Sequence, residues 1–438
     1  MPKKERNKMA QPKTTQVNLE ALAKDIRQMG LRNWLIKEFT LSFKEARKHK
    51  RHTFNEHSYD TNWTENIIHL VDAVLEHYYK PSASIAFVIF EPMIREIFAA
   101  PFADRIIHHF LYRMQYGWWD RRFIQDSYSC REGKGTLYGV QRIQRMMRQA
   151  TENYTKVAYI IKLDIRGYFM SLPRYLILAR VRWGLKRQFN PYFHIPEVVE
   201  LYKICDFLWK QVLLDDPAVK ARRRGKLSDW KYLPPEKSLF SQLVNIGIVI
   251  GNLTSQLVSN IYLDQLDRFI KYTLGYKYYG RYVDDFIIIV TEDQYEQAKK
   301  DIKKIEEFLK GLGLILHKKK RYCNSVYKGV SFLGARIYPH CLYPSNRLQQ
   351  HFLHMLYKMK HGEVSNDTII SYFGFFANLN AKNFIKKSFT KFNIGYDLYE
   401  EIAQRKKGDK EHKPRSWDDI IYDMRCDIHG RPRPTHKK

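Results

Sequence analysis

Two adjacent aspartates between two strand-like segments constrain this chain more than any other feature. The run is Tyr282-Val283-Asp284-Asp285-Phe286, with residues 277–281 before it and 287–290 after it. Aromatic and β-branched residues on both flanks favour a pleated, half-buried conformation, so the two carboxylates are predicted at the turn of a β-hairpin. Adjacent carboxylates on a rigid turn can hold a divalent cation. Aspartate is also a common turn former, so the motif needs support from the rest of the chain.

That support begins with Asp164, which ends another strand-like segment much earlier in the chain. A helix predicted between this strand and the hairpin can pack under both, so that Asp164, Asp284 and Asp285 converge. Three convergent carboxylates suit phosphoryl transfer with two metal ions, in which one ion activates the attacking hydroxyl and the other holds the leaving phosphate. Mg²⁺ prefers such oxygen ligands.

The charge balance indicates a polyanionic partner. Lys and Arg total 75 against 46 acidic residues, a formal net charge of +29, which favours nucleic acid. The 30 Tyr and 25 Phe could stack on unpaired bases, although most are expected in cores. An anionic membrane is the weaker interpretation, because no basic amphipathic anchor stands out and no apolar run could span a bilayer.

The cysteines and the chain ends bear on the compartment. Five Cys without a Cys-x-x-Cys pair predict free thiols in a reducing compartment, and the first residues lack the apolar segment of a secretory signal. Residues 1–17 are polar, basic and predicted to be disordered. Near the other end, Cys426, His429 and His436 are too few for a four-ligand zinc site, so a solvated basic tail is predicted.

Hydrophobic periodicity predicts a mixed helix and strand organisation in several subdomains. Helices are predicted for 19–50, 63–79, 102–117, 140–148, 251–270, 293–312 and much of 345–404, and strands for 84–90, 93–97, 157–163, 314–320 and 330–334. Asn252 or Thr254 is predicted to cap the helix at 251. Residues 184–240 lack a clean period, and the basic run 221–226 predicts a loop or insertion.

The motifs in this order resemble the reverse transcriptases. Asp164-Ile165-Arg166-Gly167-Tyr168-Phe169 and the hairpin resemble their palm. Segments 95–97, 102–105 and 126–136 are similar to the fingers of bacterial retroelement enzymes, and 311–320 and 332–334 to later palm motifs. The resemblance covers roughly residues 60–345 and implies an α+β, right-hand polymerase fold. It implies this division: 1–60 basic N-terminal extension with a helix, 61–155 fingers, 156–340 palm containing the 184–240 insertion, 341–405 helical thumb, and 406–438 basic C-terminal tail.

One segment resembles a particular subfamily. Most such enzymes carry Gln before the motif Gly and Ser-Pro after it, whereas this chain has Ile250-Gly251-Asn252-Leu253-Thr254-Ser255-Gln256. The pattern resembles the reverse transcriptases of diversity-generating retroelements. These copy a template-repeat RNA with frequent errors at adenines. The resemblance implies a cytoplasmic enzyme of a bacterium or phage that binds template RNA, primer and cDNA product. It also implies an accessory protein, a small basic helical bundle that forms a pentamer.

The resemblance also implies residue roles. Asp164, Asp284 and Asp285, with the backbone carbonyl of Ile165, would hold two Mg²⁺ ions, with Mn²⁺ as an alternative. Phe169 would be the steric gate against a ribose 2′-hydroxyl, unless it is a core aromatic. Nucleotide contacts are implied for Phe169, Arg95, Lys318, Ile250, Gly251 and Gln256. Nucleic-acid contacts are expected of Arg131, Lys134, Arg222, Arg223 and Arg224. For Arg95 and Lys134, a plain phosphate contact or a solvated face is an equal alternative.

Two other functional classes remain open at this point. A retron, group II intron or phage-defence type of reverse transcriptase would carry the same palm. A non-catalytic RNA-binding protein could keep the palm as a scaffold, although its loss of an aspartate would be expected and all three are present.

Overall fold

The computed structural model describes residues 16–48, 62–90, 93–362, 364–395, 397–404 and 416–433. The chain divides into two compact units. The first consists of Met1–Gly135, Leu163–Phe286 and Gln297–Arg321, and the second of Thr136–Lys162, Ile287–Glu296 and Tyr322–Lys438. Most of the predicted disordered N-terminal segment and parts of the predicted tail lie outside the described residues.

Helices form most of the regular structure. In chain order they are α1 (Leu19–Met29), α2 (Leu31–Arg47), α3 (Trp63–Leu75), α4 (Phe102–Asp120), α5 (Thr136–Ala150), α6 (Arg174–Phe189), α7 (Pro196–Leu214), α8 (Leu253–Arg268), α9 (Glu292–Gly311), α10 (Asn346–Lys360), α11 (Asn366–Phe376), α12 (Lys382–Lys391), α13 (Asp397–Gln404) and α14 (Trp417–Ile428). No helix among these described segments has the length and apolarity of a membrane span.

Within the described residues, the strands form three small sheets. The strands are β1 (Ile85–Ile89), β2 (Arg95–Ala99), β3 (Ala158–Asp164), β4 (Arg222–Arg223), β5 (Tyr278–Tyr282), β6 (Asp285–Thr291), β7 (Tyr322–Ser325), β8 (Val330–Phe332), β9 (Ala335–Ile337) and β10 (Leu342–Pro344). Their orders are β2-β1-β4, β5-β6-β3-β7 and β10-β9-β8. The mixture of helix and strand agrees with the predicted α+β class.

The predicted single helix over 19–50 is two helices. Gly30 separates α1 from α2 with a φ of +78°, a conformation that glycine adopts without the steric cost of a Cβ. The Asn18 side chain caps α1 by accepting hydrogen bonds from the backbone N–H groups of Glu20 and Ala21. The periodicity was therefore correct, but the break at glycine was missed.

Residues 184–240 are more regular than their sequence predicts. They contain the end of α6 and the whole of α7, which buries Val198, Leu201, Ile204, Cys205, Leu208, Trp209 and Leu213. The basic run is also not simply a loop, because β4 pairs in parallel with β1. The irregular part is confined to residues 215–240. The helical periodicity of α7 was missed because its buried positions mix aliphatic, aromatic and cysteine residues.

Two further expectations were wrong. The predicted strand 314–320 is a single bridge between Leu316 and Ile165, followed by a 3₁₀ turn at Lys318–Lys320. The predicted solvated tail contains α14, whose Ile420, Ile421 and Met424 are buried in one apolar core with α10–α12. His436 of the weak metal-like cluster lies outside the described residues, and Cys426 is buried in α14.

The N-terminus of α14 carries a signal that sequence reading missed. Ser416 and Asp419 form a reciprocal capping box, in which each side chain accepts a hydrogen bond from the other residue's backbone N–H. A Ser three residues before an acidic residue, at the start of an apolar stretch, is a recognised helix start. The basic residues around this short segment obscured it.

Candidate active site

The aspartate pair lies on the predicted hairpin. Asp284 is in the turn between β5 and β6, and Asp285 is the first residue of β6. Val283 in the same turn has a φ of +54°, which is a strained conformation for a β-branched residue. The N–H of Ile165 donates to the carbonyl of Asp284 at 3.1 Å. This bond joins the end of β3 to the turn and brings Asp164 to the same place.

A buried ion pair supports the turn from within the fold. Arg281 and Asp267 are both fully buried, and two guanidinium nitrogens of Arg281 lie 2.7 Å from the two carboxylate oxygens of Asp267. Tyr279 donates its hydroxyl to the same carboxylate at 2.7 Å. Arg281 also donates to the carbonyl of Val283 at 3.0 Å. The strained turn is therefore held by a bidentate, charge-assisted contact.

Sequence reading missed this support. A charged residue inside the aromatic strand 278–282, together with an aspartate on the apolar face of α8, was the available signal. Charged residues inside such elements are rarely fully buried unless they are paired.

The three carboxylates repel one another. Burial, followed by the charges of Asp164 and Asp285, raises the pKa of Asp284 to about 7. Neighbouring carboxylates destabilise each other's charged forms, and a cation restores them. Lys320 supplies one such positive charge, because its ammonium lies 3.0 Å from both carboxylate oxygens of Asp164.

The site has the donor chemistry of a hard divalent cation, since its ligands are carboxylate oxygens only. Within the described part of the chain, no three His, Cys, Asp or Glu side chains are already arranged as a metal centre. The ammonium of Lys320 contacts the carboxylate of Asp164 at the place where such a cation would bind.

Phe169 follows Asp164 by five residues and lies on a short helical turn, Tyr168–Ser171. Its ring is partly buried and packs edge-on against Tyr168 at 5.4 Å, while the buried Tyr168 donates its hydroxyl to the carbonyl of Ser259 at 2.7 Å. The carbonyl of Phe169 accepts from the N–H of Ile248 at 2.9 Å. These contacts bring Phe169 next to the segment that leads to Ile250.

The segment around Gly251 lies against β2. The N–H of Phe98 donates to the carbonyl of Ile250 at 3.2 Å. Gly251 has a φ of +129°, and a Cβ there would lie 2.9 Å from the carbonyl oxygen of Phe98, so only glycine fits. Ile250 is partly buried against the core that contains Phe98, whereas Gln256 is exposed on α8.

The predicted cap of α8 was only positionally correct. Asn252 occupies the N-cap position, but its side chain makes no capping hydrogen bond. The hydroxyl of Thr254 lies 2.8 Å from Nδ1 of His108 instead. Burial lowers the pKa of His108 to about 3, so this histidine is neutral at physiological pH.

Among the basic residues predicted to contact nucleic acid, Arg131 is buried and bonded within its own loop. Its buried guanidinium lies 2.6 Å from Asp120 and donates to the backbone carbonyls of Ile124, Ser127 and Asp120. These hydrogen bonds connect Arg131 to residues 120–127, so they stabilise the loop that contains it. Lys134 donates to the carbonyl of Gln125 at 2.6 Å.

The other predicted basic contacts lie on the surface. Arg222, Arg223 and Arg224 are exposed, and the guanidinium of Arg223 lies 4.0 Å from the ring centre of Phe240. Arg95 is exposed on β2; burial raises the pKa of Tyr282, and the nearby charge of Arg95 opposes that rise. In the run 318–320, Lys318 is exposed and Lys320 is the residue that contacts Asp164.

The comparison with protein families agrees with this geometry. A family model described as reverse transcriptase (RNA-dependent DNA polymerase) matches residues 95–337 of the 438, a segment that contains all three aspartates. No curated protein sequence matches the chain. Reverse transcriptases have the polymerase palm, use divalent cations, typically Mg²⁺, and act on an RNA template with a primer to make cDNA. Since the match covers more than half of the chain, the protein belongs to the reverse transcriptase family and is an RNA-directed DNA polymerase.

Proposed function

We propose that the protein is the polymerase of a diversity-generating retroelement, which copies a template-repeat RNA into cDNA with frequent errors at adenines. The observation that carries this proposal is the apolar Ile250 before Gly251, with Gln256 at the position where most relatives have proline. Ile250 has no side-chain hydrogen-bonding group. A pocket that offers fewer polar contacts to a base pair discriminates less between correct and incorrect nucleotides.

In this proposal Asp164, Asp284 and Asp285, with the carbonyl of Ile165, hold the cations. Bound Mg²⁺ would activate the primer hydroxyl and stabilise charge on the leaving phosphate. The chain's own residues orient the reactants. The Arg281–Asp267 pair keeps the hairpin turn in place, and the mutual repulsion that raises the pKa of Asp284 is relieved when positive charge enters.

The nucleotide would be held by the residues around this centre. Phe169 would exclude a ribose 2′-hydroxyl, and Ile250, Gly251 and Gln256 would line the pocket of the incoming pair. Arg95 would contact the triphosphate. We assign the other triphosphate contact to Lys320 together with Lys318, because Lys320 already lies at Asp164.

The remaining basic residues would guide nucleic acid. Exposed Arg222, Arg223 and Arg224 supply positive charge beside the β1–β2 hairpin, and Lys134 supplies it on the loop after α4. Phosphate contacts of this kind position a strand without reading its sequence. The subtype also brings an expected partner, a small basic pentameric accessory protein, whose own positive charge suggests that it meets the enzyme on shared RNA.

The experiment is primer extension by the purified protein on a defined RNA template with Mg²⁺ and deoxynucleotides, followed by sequencing of the cDNA. The proposal expects misincorporation opposite template adenine to exceed that opposite the other three bases. The Asp284→Asn variant is the control for contaminating polymerase. Efficient extension with equal error rates at all four bases would instead favour a retron, group II intron or phage-defence enzyme. Absence of extension would favour a non-catalytic RNA-binding protein.

A further inference from the structure

Five arginines of the first unit gather around α4, α6 and α8. They lie just after α4, on α6 and at the end of α8: Arg121, Arg122, Arg180, Arg187 and Arg268. We call them, together with Trp118 and Trp183, the arginine–tryptophan surface. None of these residues has been assigned a role above.

The guanidinium groups are close enough to act on one another. Arg268 donates to the backbone carbonyl of Arg122 at 2.7 Å. Burial, followed by the charges of Arg268, Arg121 and Arg187, lowers the pKa of Arg122. Among the described residues, the carboxylate of Asp264 contacts the cluster, at 2.8 Å from Arg268 and 3.0 Å from Arg180. The surface therefore has a local excess of positive charge.

Three of the five arginines lie over indole rings, while Arg121 donates to the side-chain oxygen of Gln16 at 3.0 Å. The guanidinium of Arg122 lies 3.5 Å from the ring centre of Trp118, and that of Arg180 lies 4.2 Å from Trp183. The guanidinium of Arg187 lies 5.4 Å from the centre of the same Trp183 ring. Stacking on an aromatic face orients a guanidinium plane and leaves its N–H edges available to acceptors. These cations are therefore positioned before any partner binds.

The packing beneath the surface is rigid. A Cβ at Gly184 would lie 2.2 Å from an atom of Trp119, so α6 approaches α4 as closely as glycine allows. Trp119 is fully buried, and Asp264 is buried beneath the two arginines it contacts. Trp183 nevertheless keeps 41% of its surface exposed. A large exposed aromatic ring between fixed cations differs from an ordinary solvated basic face.

The chemistry of this surface selects its partner. Several fixed guanidinium groups suit successive phosphates, because Arg recognises phosphate in a bidentate geometry. An exposed indole suits the face of an unpaired base, whereas the bases of a duplex are already stacked. An acidic peptide would neutralise the arginines, but its carboxylates would not stack on the exposed indole.

From these contacts we propose that the arginine–tryptophan surface binds a single-stranded segment of RNA outside the polymerising centre. One base stacks on Trp183, and the flanking phosphates contact Arg121 and Arg187. The surface would hold RNA that is not being copied, and this role does not depend on the diversity-generating subtype.

The test is a charge reversal at two of the exposed arginines, Arg121→Glu with Arg187→Glu. The matched control is Lys300→Glu with Lys303→Glu, two exposed lysines on α9, which changes the net charge equally. Binding of a fluorescein-labelled, unstructured 20-nucleotide RNA is measured by anisotropy at several salt concentrations, without nucleotides. We expect about tenfold weaker binding and a salt slope smaller by about 1.4 for the arginine variant, since each single-strand phosphate contact contributes about 0.7. The lysine control should change affinity by less than about twofold.

Trp183→Ala tests stacking without changing charge. It should weaken binding of the single strand about tenfold, as loss of a base-stacking ring does, and leave binding of a 20-base-pair RNA duplex unchanged. Equal losses in the arginine and lysine variants would mean a net-charge effect and would overturn the proposal. Unchanged RNA binding by the arginine variant would also overturn the proposal. If that variant then lost binding to a poly-glutamate peptide, the partner would be an acidic protein.

Extension of a short primer–template separates this surface from the catalytic centre. At saturating primer–template, the arginine variant should extend a primer over a short RNA overhang at the native rate, because its aspartates are intact. Loss of that extension together with RNA binding would place the surface in the copying cleft and refute a separate site. If the native chain did not extend a primer, the polymerase assignment would be refuted. The RNA-binding measurement would still test the arginine–tryptophan surface independently.

Discussion

Asp267 on α8 and Asp284 in the turn between β5 and β6 face opposite electrostatic situations. Asp267 is fully buried and bonded to Arg281 and Tyr279. The charge of Asp267 in turn raises the pKa of Arg281 against the lowering effect of burial. Asp284 is also surrounded by protein, but its closest charged neighbours include Asp164 and Asp285, and its pKa is raised to about 7.

The difference separates support from chemistry. Removing one partner of a buried ion pair destabilises the fold, because the other charge is left buried without compensation. A carboxylate held beside other carboxylates is a cost to the folded protein, which a bound cation or substrate can offset. Substitutions on the Asp267 side should therefore change stability, and substitutions on the Asp284 side should change catalysis or specificity.

The largest expected effect is on activity at the turn. Asp284→Asn should lower kcat/KM for primer extension by at least about a thousandfold, since it removes several kcal/mol of transition-state stabilisation. Its RNA affinity should match that of the native chain, and urea unfolding should show a fold at least as stable as the native one, because the repulsion at Asp284 is removed. A well-folded variant that still extends primers at the native rate would remove Asp284 from the catalytic set.

On the supporting side, Asp267→Asn should lower the free energy of unfolding by about 3–5 kcal/mol, because it leaves the Arg281 guanidinium buried without its counter-charge. Urea unfolding followed by circular dichroism measures the change. Glu200→Gln, which breaks the exposed pair with Lys203, is the control and should cost less than about 1 kcal/mol. Equal effects of the two substitutions would contradict the assigned supporting role.

The pH dependence of stability should expose the repulsion at Asp284. In EDTA, the folded carboxyl has a pKa of about 7 against an ordinary 3.8, so the folded state binds the extra proton between these values. The free energy of unfolding should therefore fall as pH rises from about 4 to 7, by about 2–4 kcal/mol from this group. Asp284→Asn should lack that fall. Identical pH profiles of the two proteins would show that the carboxylates do not repel one another as described.

Substitution of the partly buried Phe169 tests whether this residue selects the nucleotide or only stabilises the fold. Phe169→Ala should raise ribonucleotide relative to deoxynucleotide incorporation by about tenfold to a hundredfold, since the ring is proposed to exclude the 2′-hydroxyl. Single-nucleotide incorporation with each substrate measures the ratio. If the ratio is unchanged while the free energy of unfolding falls, Phe169 is a core aromatic and joins the supporting side.

The smallest expected effect is at Ile250. Ile250→Gln should reduce misincorporation opposite template adenine by up to about tenfold, which corresponds to about 1.4 kcal/mol of added discrimination. Sequencing of cDNA made from one RNA template by both enzymes gives the comparison. Leu243→Gln, at an exposed position before the same segment, should leave the error rate unchanged. Equal error rates for native and Ile250→Gln enzymes would remove the pocket argument.

Much of the polymerising centre could be predicted because its signals are local. Alternating aromatic and β-branched residues predicted the strands on either side of Asp284, and helical spacing predicted most helices. The order of the motifs predicted the reverse transcriptase family, which the family comparison confirms. Sequence reading failed where local patterns were mixed, as in α7, or where a short capped helix lay among basic residues, as in α14.

The sequence by itself determined the family, the aspartate hairpin and the basic character of the chain. Only the tertiary structure decided which charges face one another. It placed Lys320, rather than Lys318, at Asp164, committed Arg131 to Asp120, and joined Arg281 to Asp267. The physical reason is that an ionic side chain in a sequence has no partner until segments distant in the chain meet. Burial and pairing then determine whether its charge stabilises the fold, binds a ligand or is repelled by neighbours of the same sign until a cation binds.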